Sequence, residues 1–257
     1  MLTPIDNEYK AYFLGLMYAD GYLANTDKCF YAGVIQQDKN YLLKLVGDLL
    51  GFNFNGPYLK RSKKTTNPIW ELRFTDKNLL NDMINCGILP RKGYDKILSF
   101  PLDIPLELMR HFIRGFFDGD GSVSKGIGNG KIMGMNMACN NEGFAKSMHS
   151  FICFHANLLI EGNSRGPGFA YNSGVTWYVS FNGAMTCRKI YDFLYKDANF
   201  CLLWKHEKFI QLLKMYVGDD DISFSFKSYD SLPIHVWKRT PLEAYPFLQC
   251  PPRASSF

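Results

Sequence analysis

Two aspartates, each closing a similar apolar run, carry the chemistry most easily read in this chain. Asp20 ends Phe13-Leu14-Gly15-Leu16-Met17-Tyr18-Ala19-Asp20-Gly21, and Asp120 ends Ile113-Arg114-Gly115-Phe116-Phe117-Asp118-Gly119-Asp120-Gly121. The stretches 9 to 20 and 107 to 120 read as helices that stop at a glycine, with Gly21 and Gly121 expected in the left-handed conformation of a helix C-terminus. Each helix carries small residues four apart, Gly15 with Ala19 and Gly115 with Gly119, so two such faces can approach backbone to backbone. Packed about a pseudo-twofold axis through those faces, Asp20 and Asp120 would stand side by side at two helix C-termini. Like charges at the negative ends of two helices are costly unless a cation compensates them. Oxygen donors without nearby His or thiolate select Mg²⁺ or Ca²⁺, and metal-assisted phosphoryl chemistry is the natural use of such a site. A single Asp-Gly dipeptide reads as a turn; its repetition with Gly at the third, Asp at the eighth and Gly at the ninth position sets these two apart.

The elements that must hold the acids are repeated as well. In the first half, alternation and apolar periodicity place strands near Phe30 to Gln37, Gly56 to Lys63 and Ile69 to Thr75, with helices near Asn40 to Leu50 and Lys77 to Cys86. The second half has strands near Lys131 to Cys139, Leu158 to Ser164 and Thr176 to Phe181, and helices near Glu142 to Phe154 and Ala184 to Tyr195. The reading is a mixed αββαβ-like order in each half, with halves at 1–104 and 105–217 and an irregular extension at 218–257 containing five prolines after Asp219-Asp220-Asp221.

Both runs resemble the LAGLIDADG motif, and over roughly residues 8 to 215 the chain resembles a single-chain, two-motif LAGLIDADG homing endonuclease. The resemblance implies an α+β fold of two pseudo-symmetric αββαββα halves packed through the motif helices, with antiparallel sheets forming a DNA-binding saddle. It also implies a monomer that hydrolyses both strands of a long asymmetric target with Mg²⁺, with Mn²⁺ able to substitute and Ca²⁺ supporting binding without cleavage. The metal ligands it implies are Asp20 and Asp120 with the carbonyls of Ala19 and Gly119. Tyr18 departs from the pattern, standing where Asp118 keeps the sixth-position acid. Lys92 in Leu89-Pro90-Arg91-Lys92 matches the family's active-site lysine, Lys205 after Trp204 matches it less closely, and Gln37 resembles its water-ordering glutamine. The second half offers Cys139 or Asn140 in that place, so two unequal sites are expected.

In Ile69-Trp70-Glu71-Leu72-Arg73-Phe74-Thr75, alternation puts Trp70, Leu72 and Phe74 on the core face and Glu71, Arg73 and Thr75 on the other. Such a face suits a β-ribbon in the major groove, where Arg reads guanine. Lys60, Arg61, Lys63 and Lys64 form a charge run at the preceding hairpin, suited to phosphates or simply solvated; Gln36, and Arg165 in the other half, complete the expected DNA contacts. The resemblance leaves a group I intron maturase, with intron RNA as partner, as the second reading. A transcription regulator on the same fold is the third, without its expected loss of the motif acids.

The 257 residues are 47% hydrophobic, 16% aromatic and 21% charged, which excludes a disordered or fibrous chain, and the net charge of +5 decides nothing alone. No apolar run approaches the ~20 residues of a membrane span, and Met-Leu-Thr-Pro-Ile-Asp lacks an export signal, so an intracellular protein without membrane partners is expected. The seven cysteines form no C-x-x-C pair and read as reduced thiols, the five histidines show no ligand spacing, and the termini do not suggest an intein.

Overall fold

The structure, a computed structural model, describes residues 1–26, 29–60, 68–90, 98–101, 103–125, 132–158 and 168–218. At its centre are α1 (Glu8–Ala19) and α4 (Leu106–Asp120), the two motif helices. Each has eight consecutive buried residues, 11–18 in α1 and 111–118 in α4, so both are enclosed on every side rather than along one stripe. Their contact is backbone on backbone: a Cβ built on Gly15 would lie 1.9 Å from the Phe112 carbonyl oxygen, and one on Gly115 would lie 2.0 Å from that of Tyr12. The reciprocity of the two clashes is the signature of a pseudo-twofold axis between the helices.

After α1 the chain runs β1 (Gly21–Thr26), β2 (Cys29–Gln36), α2 (Lys39–Leu43, continuing as π-type turns to Leu49), β3 (Asn55–Lys60), β4 (Ile69–Phe74) and α3 (Lys77–Asn85). After α4 come β5 (Gly121–Ser124), β6 (Gly134–Cys139), α5 (Glu142–His155), β7 (Phe169–Ser173), β8 (Thr176–Asn182), α6 (Ala184–Tyr195) and α7 (Leu203–Val217). Both sheets are antiparallel with the same order, β1-β2-β4-β3 and β5-β6-β8-β7. The architecture is therefore α+β in two αββαββα units packed through the motif helices. Short polar residues start α1 and three supporting helices: Asn7, Asp38, Asp76 and Asn141 each accept a hydrogen bond from a backbone N–H of the first turn. No helix among the described residues is long and apolar enough to cross a membrane.

Several local expectations change. Gly21 and Gly121 do not adopt positive φ; each opens a strand, and Gly121 has φ −85° and ψ 156°. Glycine is required there by space, because a Cβ would meet the carbonyl oxygen of Met17 at 2.6 Å or that of Phe117 at 2.4 Å. A strand therefore starts on the motif glycine in each half, giving the two-strand pairs β1-β2 and β5-β6. The strand expected from Leu158 to Ser164 lies outside the described residues beyond Leu158, and β7 forms at Phe169–Ser173 instead. The residues after Phe200, given no element in the sequence reading, form a helix, α7, buried along Lys205, His206, Phe209, Leu212 and Leu213. The extension from residue 219 onward lies outside the described residues.

Candidate active site

The ends of α1 and α4 bring the two motif acids to one place. Asp20 caps α1, its N–H bonded to the Leu16 carbonyl at 2.8 Å, and its carboxylate is packed on the other half: a Cβ on Gly119 would be 3.0 Å from Asp20 Oδ2 and 2.3 Å from the Ala19 Cβ. Gly119 thus lets the acid of one motif sit against the helix end of the other. Lys205 registers the same convergence, since the carboxylates of Asp118, Asp20 and Asp120 all act on its charge.

Lys205, expected at the site, lies beneath it. Only 4% exposed, its Nζ is within hydrogen-bonding distance of the carbonyl oxygens of Phe117 (3.0 Å), Asp118 (2.7 Å), Gly119 (3.1 Å) and Gly121 (2.8 Å). An ammonium at that point satisfies the orphan carbonyls of the α4 C-terminus and opposes its negative pole. Burial lowers its pKa, and the surrounding carboxylates work against that lowering. Lys205 is accordingly a positioning residue, and the Gly119 carbonyl that the resemblance makes a metal ligand is one of its partners. Lys92, its expected counterpart, lies outside the described residues.

The glutamine that meets the acid is Gln36, not Gln37. Gln36 Nε2 donates to Asp20 Oδ2 at 2.5 Å, while Gln37 is exposed one residue beyond β2. A one-residue difference in a strand reverses the face, which is why the neighbour points elsewhere and why Gln36 is not on the open face of the sheet expected to contact DNA. In the second half the same register puts Cys139 at this position: Gly21 pairs with Val34, two before Gln36, and Gly121 pairs with Met137, two before Cys139. Burial pushes the Cys139 thiol up to about 11, and the Asp120 carboxylate adds to the shift. Asp20 therefore has an amide donor from the strand position that Cys139 occupies in the second half.

Behind the acids lies a buried polar network that the sequence reading did not anticipate. Asp118, fully buried, accepts from Tyr12 Oη (2.5 Å), Tyr195 Oη (3.0 Å) and the Leu202 N–H (2.8 Å), tying α1, α6 and the start of α7 to α4. Burial raises its pKa, with Lys205 and the hydrogen bonds from Tyr12 and Leu202 opposing. Tyr18, its pseudo-symmetric counterpart, donates instead to the Cys86 carbonyl at 2.6 Å. Arg114, one turn earlier, donates to the carbonyls of Phe200 (3.0 Å) and Leu194 (3.0 Å) and meets His111 Nδ1 at 2.5 Å. Its buried Nη2 has no hydrogen-bond partner among the described residues, and the guanidinium lies 5.2 Å from the Tyr12 ring centroid.

On the open face of the first sheet the expected strand face is observed, but Glu71 is not available on it. Glu71 is 0% exposed because Tyr22 donates to it, Lys60 Nζ lies 3.0 Å from Oε1, and the Arg73 Nε and Nη2 groups reach Oε2 at 2.8 Å. Its carboxylate is consumed in holding the two cations, so it positions them. Arg73, 30% exposed, lies 5.1 Å and 5.0 Å from the ring centroids of Tyr31 and Tyr58, and Lys60 is 43% exposed. Thr75 lies just past β4, where Asn55 Nδ2 approaches its hydroxyl at 3.5 Å. Arg61, Lys63, Lys64 and Arg165 lie outside the described residues.

The donor set suits a hard cation. Among the described residues no group of three or more His, Cys, Asp or Glu is placed to hold a metal. A cation here would take two carboxylates and helix-end carbonyls from the protein and its remaining ligands from water and substrate, which is the habit of Mg²⁺.

Residues 107–150 match the family model of the LAGLIDADG-like domain. Among solved structures, the homing endonuclease I-WcaI bound to its DNA recognition sequence is similar over 80% of this chain and 88% of that one, with 15% identity and a TM-score of 0.53. The meganuclease I-AabMI bound to uncleaved DNA aligns over 82% and 90% of the two chains, with 12% identity and a TM-score of 0.48. The N-terminal LAGLIDADG domain of DUF199/WhiA aligns over 80% and 90%, with 10% identity and a TM-score of 0.49. No curated protein matches the chain. Residues 107–150 thus match a LAGLIDADG-like domain, and the described chain as a whole shares the fold of the LAGLIDADG endonuclease structure I-WcaI.

Proposed function

We propose that the protein is a monomeric, Mg²⁺-dependent, site-specific double-strand DNA endonuclease. The observation that carries this reading is the convergence of Asp20 and Asp120 at one end of the motif-helix pair, between two sheets of identical order. Asp20 and Asp120, with the Ala19 and Gly119 carbonyls, would hold the metal. Bound there, Mg²⁺ would supply an activated water and charge stabilisation for the leaving oxygen. Gln36 fixes the orientation of the Asp20 carboxylate through its 2.5 Å hydrogen bond. Lys205 keeps the α4 end in place and balances the local negative charge. Arg73 and Lys60, braced by Glu71, hold the duplex over the first sheet.

The test is incubation of the purified full chain with a randomised-site plasmid library in Mg²⁺ and in EDTA, followed by sequencing of the ends. Mg²⁺-dependent double-strand breaks at one long sequence are the expected result, with Mn²⁺ substituting and Ca²⁺ giving binding alone. Intact DNA that the protein still binds would refute the nuclease, and binding of intron RNA in place of DNA would establish the maturase reading.

A further inference from the structure

The matched registers allow the two open sheet faces to be compared position by position. Leu72 pairs with Val34 and Val179 pairs with Met137, so the cross-strand partners on either side correspond as well. Glu71 then corresponds to Tyr178, Arg73 to Ser180, and Tyr22 to Ser122. On the edge strands Tyr58 corresponds to Tyr171, and Lys60 to Ser173. Every charged group on the first face is replaced by a hydroxyl or an aromatic ring on the second. Among the described residues the second face carries no charged side chain. What it presents is Phe169 (48% exposed) and Tyr171 (38% exposed) along β7, with Tyr171 stacked on Tyr178 at 5.4 Å and Asn136 and Ala138 beside them.

These faces ask for different bases. Arg73 has five N–H donors, of which Glu71 engages two, so the rest of the fork is presented between Tyr31 and Tyr58 for a guanine edge, the base Arg reads bidentately. Among the described residues the second face has no cation for guanine. Its aromatic rings and Ala138 are suited to the thymine C5-methyl, and Asn136 to adenine, the contacts those groups make in the major groove. Resting on the DNA-endonuclease reading, we infer that the target is compositionally asymmetric. The half-site under β1-β2-β4-β3 holds a guanine opposite Arg73, and the half-site under β5-β6-β8-β7 is A·T-rich and read through thymine methyls. The occupant of the aromatic β7 face is thus a DNA half-site, continuous with the Arg73 face across the pseudo-twofold axis.

The experiment selects bound duplexes from a random pool with the full chain in Ca²⁺, then replaces thymine by deoxyuridine in one half of the selected site at a time. The expected site has a fixed G·C pair in one half and an A·T-rich second half. Arg73→Ala should reduce the preference for that G·C pair by roughly tenfold to a hundredfold. Deoxyuridine, which removes only the methyl, should weaken binding in the A·T-rich half and leave the other half unchanged; Phe169→Ala should remove that sensitivity. Equal base composition in the two halves, or indifference to deoxyuridine, would overturn the inference. Absence of any sequence-selective DNA binding would overturn the DNA reading and the inference with it, whereas an asymmetric selected site without cleavage in Mg²⁺ would sustain the inference and refute the nuclease.

Discussion

Gly115→Ala probes the contact on which the active-site geometry depends. The added Cβ would lie 2.0 Å from the Tyr12 carbonyl oxygen and 2.8 Å from the Tyr12 carbonyl carbon, atoms of an enclosed helix backbone that cannot rotate away. Ordinary contact begins near 3.4 Å, so α1 and α4 must separate by about 1.4 Å at this level. Overpacking of a rigid core costs typically 1–3 kcal/mol, and a clash with backbone belongs at or above the top of that range. A loss of about 3 kcal/mol lowers the melting temperature by roughly 6–12 °C in a chain of this size. The same separation carries Ala19 and Asp20 away from Gly119, and a displacement near 1 Å at a reacting centre can cost about a hundredfold in rate. The assay is thermal unfolding together with cleavage rates below the transition, with Gly143→Ala as control. That methyl would meet only Asn141 Oδ1 at 3.3 Å, and its effect should stay within about 1 kcal/mol. A Gly115→Ala protein with unchanged melting temperature and cleavage would refute the backbone-to-backbone packing of the motif helices.

Other expectations follow from the polar groups around that interface. Asp118→Ala strips three donors of their acceptor and leaves Lys205 without its buried counter-charge, so unfolding experiments should show a loss of about 3–5 kcal/mol. Gln36→Ala removes a hydrogen bond to a charged group, of order 1.5–3 kcal/mol, and should slow cleavage of one strand so that supercoiled plasmid accumulates as nicked circle. Burial, aided by Arg114, holds His111 at about 3 and His206 at about 4. Both stay neutral in the folded state while the unfolded chain takes up protons below its pKa of about 6.5. Stability should therefore fall with pH, by roughly 2 kcal/mol between pH 6 and 5, with Asp118 contributing in the opposite sense; chemical denaturation with and without His206→Gln reads the difference.

The central helices were legible in the sequence because close packing leaves an unambiguous record: small residues four apart, repeated a hundred positions later, cannot serve a solvated helix face. The acids at their ends follow from that alone. Gln36 was harder to read, because Val34-Ile35-Gln36-Gln37 offers two adjacent amides and only the pairing with β1 decides which one faces inward. Glu71 shows the opposite limit. Alternation placed it on the correct face, yet its burial depends on Tyr22, Lys60 and Arg73 arriving from three strands. In sequence Asp118 reads as the sixth-position motif acid and Lys205 as an active-site lysine; each is instead buried, because the other compensates it across 87 residues of chain. The glycines after the acids were assigned to left-handed helix ends by a local rule, whereas the crowding that selects them comes from the preceding helical turn.

The most direct test of the account is the cleavage of supercoiled target plasmid in Mg²⁺ by Asp20→Asn and Asp120→Asn, each alone, alongside a DNA-binding measurement in Ca²⁺. Because each acid serves the cleavage of one strand, each substitution should abolish double-strand cleavage while binding is largely retained. Normal double-strand cleavage by either variant would contradict the assignment of the motif acids as the active site.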